Sequence, residues 1–141
     1  MITVSEASAI ILSHSIETGV EEVSIQDACG RVLKEVVRAD RDFPPFNRVS
    51  MDGVAIAFEA WQTGNRKFTI ESIQAAGQQQ KQLTNAFACI EVMTGAMLPL
   101  GTDTVVPYEN VLIKDGKANL TIEKIERGEN IHKQGVDARA N

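Results

Sequence analysis

The sequence predicts an α+β chain, a helical lead-in followed by a small, mostly antiparallel β domain. Three observations carry this. A capping box opens the chain, short β-branched and apolar runs recur at near-regular spacing from residue 54 onward, and an Asp-Gly pair separates the last two runs.

In order, Thr3-Val4-Ser5-Glu6 is the capping box, and Val4, Ala7, Ile10 and Ile11 then share one face, which predicts a helix to about Glu17 with Gly19 as its stop. Ser24-Ile25-Gln26-Asp27 signals a second, shorter helical turn, running through Ala28 and Cys29 to Gly30. Val32, Leu33, Val36 and Val37 suggest an extended segment. In Asp42-Phe43-Pro44-Pro45-Phe46 two prolines remove backbone donors and push the residue before each toward extended geometry, so the passage is a loop or an edge and a boundary between lobes. Beyond it, residues 54–58, 68–73, 89–92, 104–113 and 118–125 read as strands, with Lys114-Asp115-Gly116-Lys117 as a hairpin turn between the last two. The polar stretch Gln78-Gln79-Gln80-Lys81-Gln82 reads as an exposed loop. The expected organisation is a helical and extended lobe over 1–42, a β-rich lobe over 43–127, and a linker over 128–141 returning to the first lobe.

A chain of 141 residues can bury a real core, roughly 70% of its unfolded surface at this size. Apolar residues at 43% and charged residues at 23% are ordinary globular values, and no stretch approaches the ~20 apolar residues of a membrane helix. The N-terminus has no basic segment followed by an apolar one, so no secretory signal is expected and a cytoplasmic location follows. Cys29 and Cys89 are far apart, with no second Cys or His at a metal spacing, which predicts buried free thiols. The net charge of −5 and the absence of a Lys/Arg cluster argue against nucleic acid.

Three passages could carry chemistry. In FPPFNRVSMDGVA, at 43–55, a Pro-Pro loop leads into Asp52-Gly53 at the mouth of an apolar strand. A carboxylate fixed there can accept a proton, hold a water or ligate a divalent cation, and Gly53 lets backbone approach a ligand closely. Asp-Gly is also among the commonest turn dipeptides, and the residues alone favour that meaning. In MTGAMLPLGTDTVVPYE, at 93–109, Thr94-Gly95 and Gly101-Thr102-Asp103 can offer a hydroxyl and backbone N–H groups to an oxyanion, although no Walker-type Gly-Lys follows and a plain loop is the commoner outcome. GENIHKQGVD, at 128–137, holds His132, Lys133 and Asp137. The other histidine, His14, lies in the first predicted helix, so no Ser/His/Asp or Cys/His arrangement can be built, and His132 reads as a solvated surface residue.

Together, and in order, these passages resemble one family, the molybdopterin molybdotransferases, known as MoeA in bacteria and as the E domain of gephyrin in animals. FPPFNRVSMDGVA is similar to the family's proline-aromatic loop ending in Met-Asp-Gly-Tyr-Ala. VMTGAMLPLGTDTVVPYE resembles its Thr-Gly-Ala, Leu-Pro, Gly-x-Asp, Val-Val and Glu pattern, and GENIHKQGVD its Gly-x-Asn-Ile-Arg signature. Cys-Gly-Arg-Val-Leu at 29–33 also looks like the family's N-terminal region.

The resemblance implies that Asp52 and Thr94 are the catalytic residues, with Asp52 positioning a water or a Mg2+ ion and Thr94 donating a hydrogen bond to the anionic ligand. Ser50, Met51, Gly53 and Gly95 are the implied cofactor-binding residues. The implied substrates are molybdate and adenylylated molybdopterin, which meet between this β-rich lobe and an α/β pterin-binding domain of the second subunit of a homodimer. A molybdopterin-adenylylating protein is the implied partner upstream. The sequence departs from the family at Val54, usually Tyr, at Glu91, where basic or polar residues are frequent, and at His132, usually Arg. It also ends at Asn141, before the pterin-binding domain, so the expectation is an N-terminal fragment that is inactive alone and supplies half of a shared site. The alternatives are a non-catalytic dimerisation or docking module of the same pathway, and an unrelated β domain whose motifs are turns.

Overall fold

The computed structural model describes every residue except Met1, Ser15 and Glu17, and divides the chain into two compact units, Met1–Val37 and Arg38–Asn141.

In the first unit, α1 spans Val4–Ser13. Its capping box forms as predicted: Thr3 Oγ1 accepts from the Glu6 amide at 3.2 Å, and the Thr3 amide donates to the Glu6 carboxylate at 2.8 Å. The stop is His14 rather than Gly19. The His14 amide donates to the carbonyls of Ile11 and Leu12, and its Nδ1 lies 2.8 Å from the Ile10 carbonyl, satisfying C-terminal acceptors that the sequence assigned to a glycine cap. Of the predicted last turn, Ser15 and Glu17 lie outside the described residues. The second helical turn is a single 3-10 turn, Ile25–Asp27, followed by Gly30 at a φ of 81°. No residue of either element is buried, and Ile11 and Leu12 are each 71% exposed.

The second unit holds eight strands. β1 (Arg48–Val49) and β8 (Ile131–His132) form an antiparallel pair. The others, β2 (Gly53–Ile56), β3 (Lys67–Gln74), β4 (Ala88–Val92), β5 (Thr104–Pro107), β6 (Val111–Lys114) and β7 (Lys117–Leu120), form one sheet in the order β5-β2-β4-β3-β7-β6. All its pairs are antiparallel except β3 with β4. Both faces of the central strands are buried. Val54, Ile56, Cys89, Val106 and Phe68 pack on one side, while Ala55, Ile90, Val92 and Val105 pack on the other. This explains why these strands read as unbroken apolar runs instead of alternating ones.

Three predicted strands were too long. The run at 54–58 ends at Ile56 because α2 (Phe58–Gln62) begins there, its first amide donating to the Asp103 carboxylate at 2.7 Å, a cap supplied from far along the chain. The run at 104–113 is broken after Pro107 by a 3-10 turn at Tyr108–Asn110. The run at 118–125 stops pairing at Leu120, although Ile122 and Ile125 still pack against the core. The hairpin at 115–116 forms as predicted, with Asp115 and Gly116 at φ of 51° and 69°, as a two-residue turn of this hand requires.

The glutamine-rich loop at 78–82 is exposed as predicted, apart from the half-buried Lys81, and is anchored from β3. Gln74 is fully buried at the end of β3, accepts from the Lys81 amide at 2.7 Å, and donates to the carbonyls of Ala75 and Gln79 at 3.3 Å each. A neighbouring anchor, Glu71, accepts from the amides of Thr84 and Asn85 and from the Thr84 hydroxyl, which lowers its carboxyl below the usual range. The parallel crossover from β3 to β4 is thus held by two side chains.

Gly53 is the most tightly packed of the glycines. A Cβ built there would lie 2.0 Å from the Val106 carbonyl oxygen and 2.9 Å from the Pro107 Cα. Gly53→Ala therefore forces β5 away from β2, and urea unfolding should show a loss of about 1–3 kcal/mol or more. Gly19→Ala, where a Cβ meets nothing within 4 Å, is the matched control and should leave stability within about 0.5 kcal/mol.

Candidate functional site

Asp52 lies in the bend that delivers the chain into β2, and Thr94 lies just past the end of β4. Because β2 and β4 pair with Gly53 opposite Val92, the residues flanking those strand ends are neighbours. The Thr94 amide and hydroxyl both donate to Asp52 Oδ1, at 2.6 and 2.7 Å. These bonds, the backbone one first, pull the exposed Asp52 carboxyl below its ordinary range. Among the described residues nothing bonds to Oδ2, so one carboxylate oxygen is fixed and the other faces outward.

Most of the other donors predicted in the 93–109 loop, those of Gly95, Thr102 and Asp103, are spent within the fold. The Gly95 amide donates to the Val49 carbonyl at 2.9 Å and the Asp103 amide to that of Ile56 at 3.0 Å; the Thr102 amide and hydroxyl both go to Pro99. Those bonds favour the plain loop over the oxyanion cradle that the same residues could have formed. The hydroxyl of Thr94 has one proton and gives it to Asp52, so its place in this arrangement is to hold the carboxylate rather than to reach a ligand.

The passage at 128–137 acts as a strap. Asn130, at a φ of 58°, donates from Nδ2 to the Val105 carbonyl at 2.9 Å, and its own carbonyl accepts from the Ser50 amide at 3.0 Å. Ser50 is thereby fixed two residues before Asp52, while the Met51 side chain is 41% exposed beside it. His132, predicted to be a solvated surface residue, is partly exposed and has Nε2 at 2.8 and 2.9 Å from the two carboxylate oxygens of Asp137. All three sequence passages therefore converge on the entry to β2.

Sequence reasoning missed one contact beside this site. The Tyr108 phenol donates to Glu91 Oε1 at 2.5 Å, and the Tyr108 amide donates to the Asp52 carbonyl at 3.2 Å. Glu91 was visible as a departure from the family pattern, but its partner, two strands away in the sheet, was not. Among the described residues no group of three or more His, Cys, Asp or Glu could hold a metal ion, so the protein would offer a cation the Asp52 carboxylate and little else. That fits magnesium, which binds through one or two carboxylates when phosphate oxygens and water complete its shell.

Comparison with known proteins places this geometry in context. The family model for the MoeA N-terminal region (domain I and II) matches residues 2–141. The chain belongs to the MoeA N-terminal region family. A molybdopterin molybdenumtransferase from Synechocystis is 42% identical over 141 residues, which is 99% of this chain and 36% of that protein. One from Bacillus subtilis is 32% identical over 146 residues, 98% of this chain and 34% of its own length. The crystal structure of the molybdopterin biosynthesis MoeA protein from Pyrococcus horikoshii OT3 matches with a TM-score of 0.75 at 30% identity, covering 85% of this chain and 32% of that one. A second Pyrococcus MoeA structure covers 99% of this chain at a TM-score of 0.71 and 26% identity. The chain thus spans about a third of the length of the curated relatives it matches, 36% in the Synechocystis case.

Within this MoeA region the Thr94–Asp52 contact has a pH signature. A depressed carboxyl contributes stability above its unfolded value that is lost as pH falls through the folded one. Thr94→Ala removes the hydroxyl donor but keeps the amide, so the Asp52 midpoint should rise yet stay below that of an unperturbed Asp. Carboxyl-carbon NMR titration reads this directly; an unchanged midpoint would show that the hydroxyl bond does not form in solution.

Proposed function

We propose that this MoeA region supplies half of a molybdopterin molybdotransferase site, in which molybdate is inserted into adenylylated molybdopterin. The observation that carries the reading is the Thr94-held Asp52, with one oxygen fixed and one outward, inside a match to the MoeA N-terminal region that runs over residues 2–141. Two donors on Oδ1 keep the carboxylate ionised and restrict its rotation, so Oδ2 presents a charge of fixed direction. Such a group can orient an attacking water for cleavage of the adenylate, or share a Mg2+ ion with the substrate's phosphate oxygens. Magnesium there would neutralise phosphate charge. Ser50, Met51, Gly53 and Gly95 are proposed to border the bound pterin.

The absence of a Lys/Arg cluster, and the internal use of the Gly95, Thr102 and Asp103 amides, leave this lobe poorly equipped to attract anionic substrates alone. Positive groups are therefore assigned to a pterin-binding domain, that of the second subunit of a homodimer. The molybdopterin-adenylylating protein is the proposed source of the substrate and the cytoplasm the proposed compartment; no helix among the described residues is long and apolar enough to cross a membrane.

Exposed apolar side chains on α1, Val4 at 85% and Leu12 at 71%, favour a second role for the first unit as a surface on which the rest of the protein or another subunit packs.

The test is molybdenum insertion by the full-length parent. Asp52→Ala should lower turnover by about 100-fold or more, Thr94→Ala by about 10-fold, and the 141-residue chain alone should be inactive. Wild-type turnover in the Asp52→Ala parent would sink the reading.

A further inference from the structure

We infer that Tyr108 and Glu91 form a side-chain clamp that positions Asp52, making Tyr108 a positioning residue for this site.

The sheet order supplies the geometry. Glu91 lies on β4 and Tyr108 just past β5, the two strands that flank β2, so the 2.5 Å bond from the phenol to Glu91 Oε1 crosses β2. It crosses at the end where Asp52 enters, because Glu91 pairs with Val54 and Gly53 pairs with Pro107. Alternation puts Glu91 on the face that carries Val54, Cys89 and Val106.

The backbone completes the clamp. The Tyr108 amide gives its proton to the Asp52 carbonyl at 3.2 Å, the last rung between β5 and the start of β2. Pro107 lies in the adjacent, non-hydrogen-bonded pair, where its missing N–H points away from β2, so the rung is not weakened by it. Asp52 is consequently held at its carbonyl by Tyr108 and at its carboxylate by Thr94. Tyr108 can move away from Asp52 only if the phenol leaves Glu91.

Chemistry keeps the phenol a donor. Burial, the bond to Glu91 and the nearby charge of Asp52 push its ionisation above the usual value, so the proton stays on oxygen across the working pH range. A carboxylate acceptor makes this a charge-assisted bond, stronger than a neutral pair.

The inference rests on Asp52 being a working group of the proposed site, but its test does not use activity. In the 141-residue chain, amide hydrogen exchange at Thr94 reports the Thr94–Asp52 contact, and Asp52→Asn shows the size of the response when that contact is weakened. Tyr108→Phe and Glu91→Ala should each lower Thr94 protection about 3- to 10-fold, the loss expected for one hydrogen bond, and the double variant should lose no more than either alone. Glu91→Gln keeps an acceptor oxygen and should restore most of the protection. The Phe68 amide on β3, outside the clamp, should not change in any of them.

Thr94 protection unchanged in both Tyr108→Phe and Glu91→Ala would overturn the inference. So would an equal fall at Phe68 and Thr94, which would mark Tyr108 as a general contributor to folding. If instead the clamp responds as expected while Asp52→Ala leaves molybdenum insertion intact, the functional reading fails and the clamp stands.

Discussion

The architecture around Asp52 depends on a missing side chain. At Gly53 the backbone of β5 occupies the space that any Cβ would need, with the Val106 carbonyl oxygen 2.0 Å from that position. This close approach sets the distance between β5 and β2, brings the Tyr108 amide to the Asp52 carbonyl, and leaves β2 embedded between β5 and β4. Thr94 then meets Asp52 because β4 ends beside the start of β2. The Asp-Gly pair is therefore more than a turn: its first residue is the functional candidate and its second is the condition for the packing that holds it.

How much of this was legible in the sequence depends on the range of each signal. The capping box at Thr3, the Asp115-Gly116 hairpin and the apolar runs of β3 and β4 are local patterns, and they fold as read. The misplaced ends share a different cause. α2 starts at Phe58 because Asp103 caps it, and α1 stops at His14 because an imidazole takes over a carbonyl. No window of neighbouring residues contains the first of these contacts. Ile122 and Ile125 show the complementary error, since apolar spacing recorded their burial and not their pairing.

The candidate site was legible to the extent that motif and chemistry coincided. Asp52 and Thr94 emerged from two separate passages and the fold brings them to within 2.7 Å. Their division of labour was not legible, because a threonine in a glycine-containing loop looks like an anion donor until its proton has a named acceptor. The same holds for His132, whose partner Asp137 follows five residues later but is aligned only by the strap. For Glu91 the sequence showed an anomaly and the sheet supplied its partner.

The β1 and β8 pairing has a topological consequence. Val49 stands opposite Ile131, so everything between them is an excursion that departs from and returns to one place, its ends about 5 Å apart. Loops of this excursion far from the seam, such as the Asp115-Gly116 turn, can change length without altering the path on either side. The loop whose Leu98 amide donates to the Asn47 carbonyl at 2.9 Å is instead tied to the chain outside. The entropic cost of closing so long an excursion grows only slowly with its length, and a two-rung ladder backed by the bonds of Asn130 and Ser50 offsets it at the seam. The seam lies beside Asp52, so the part of the molecule that must be fixed is also the part that tolerates no insertion.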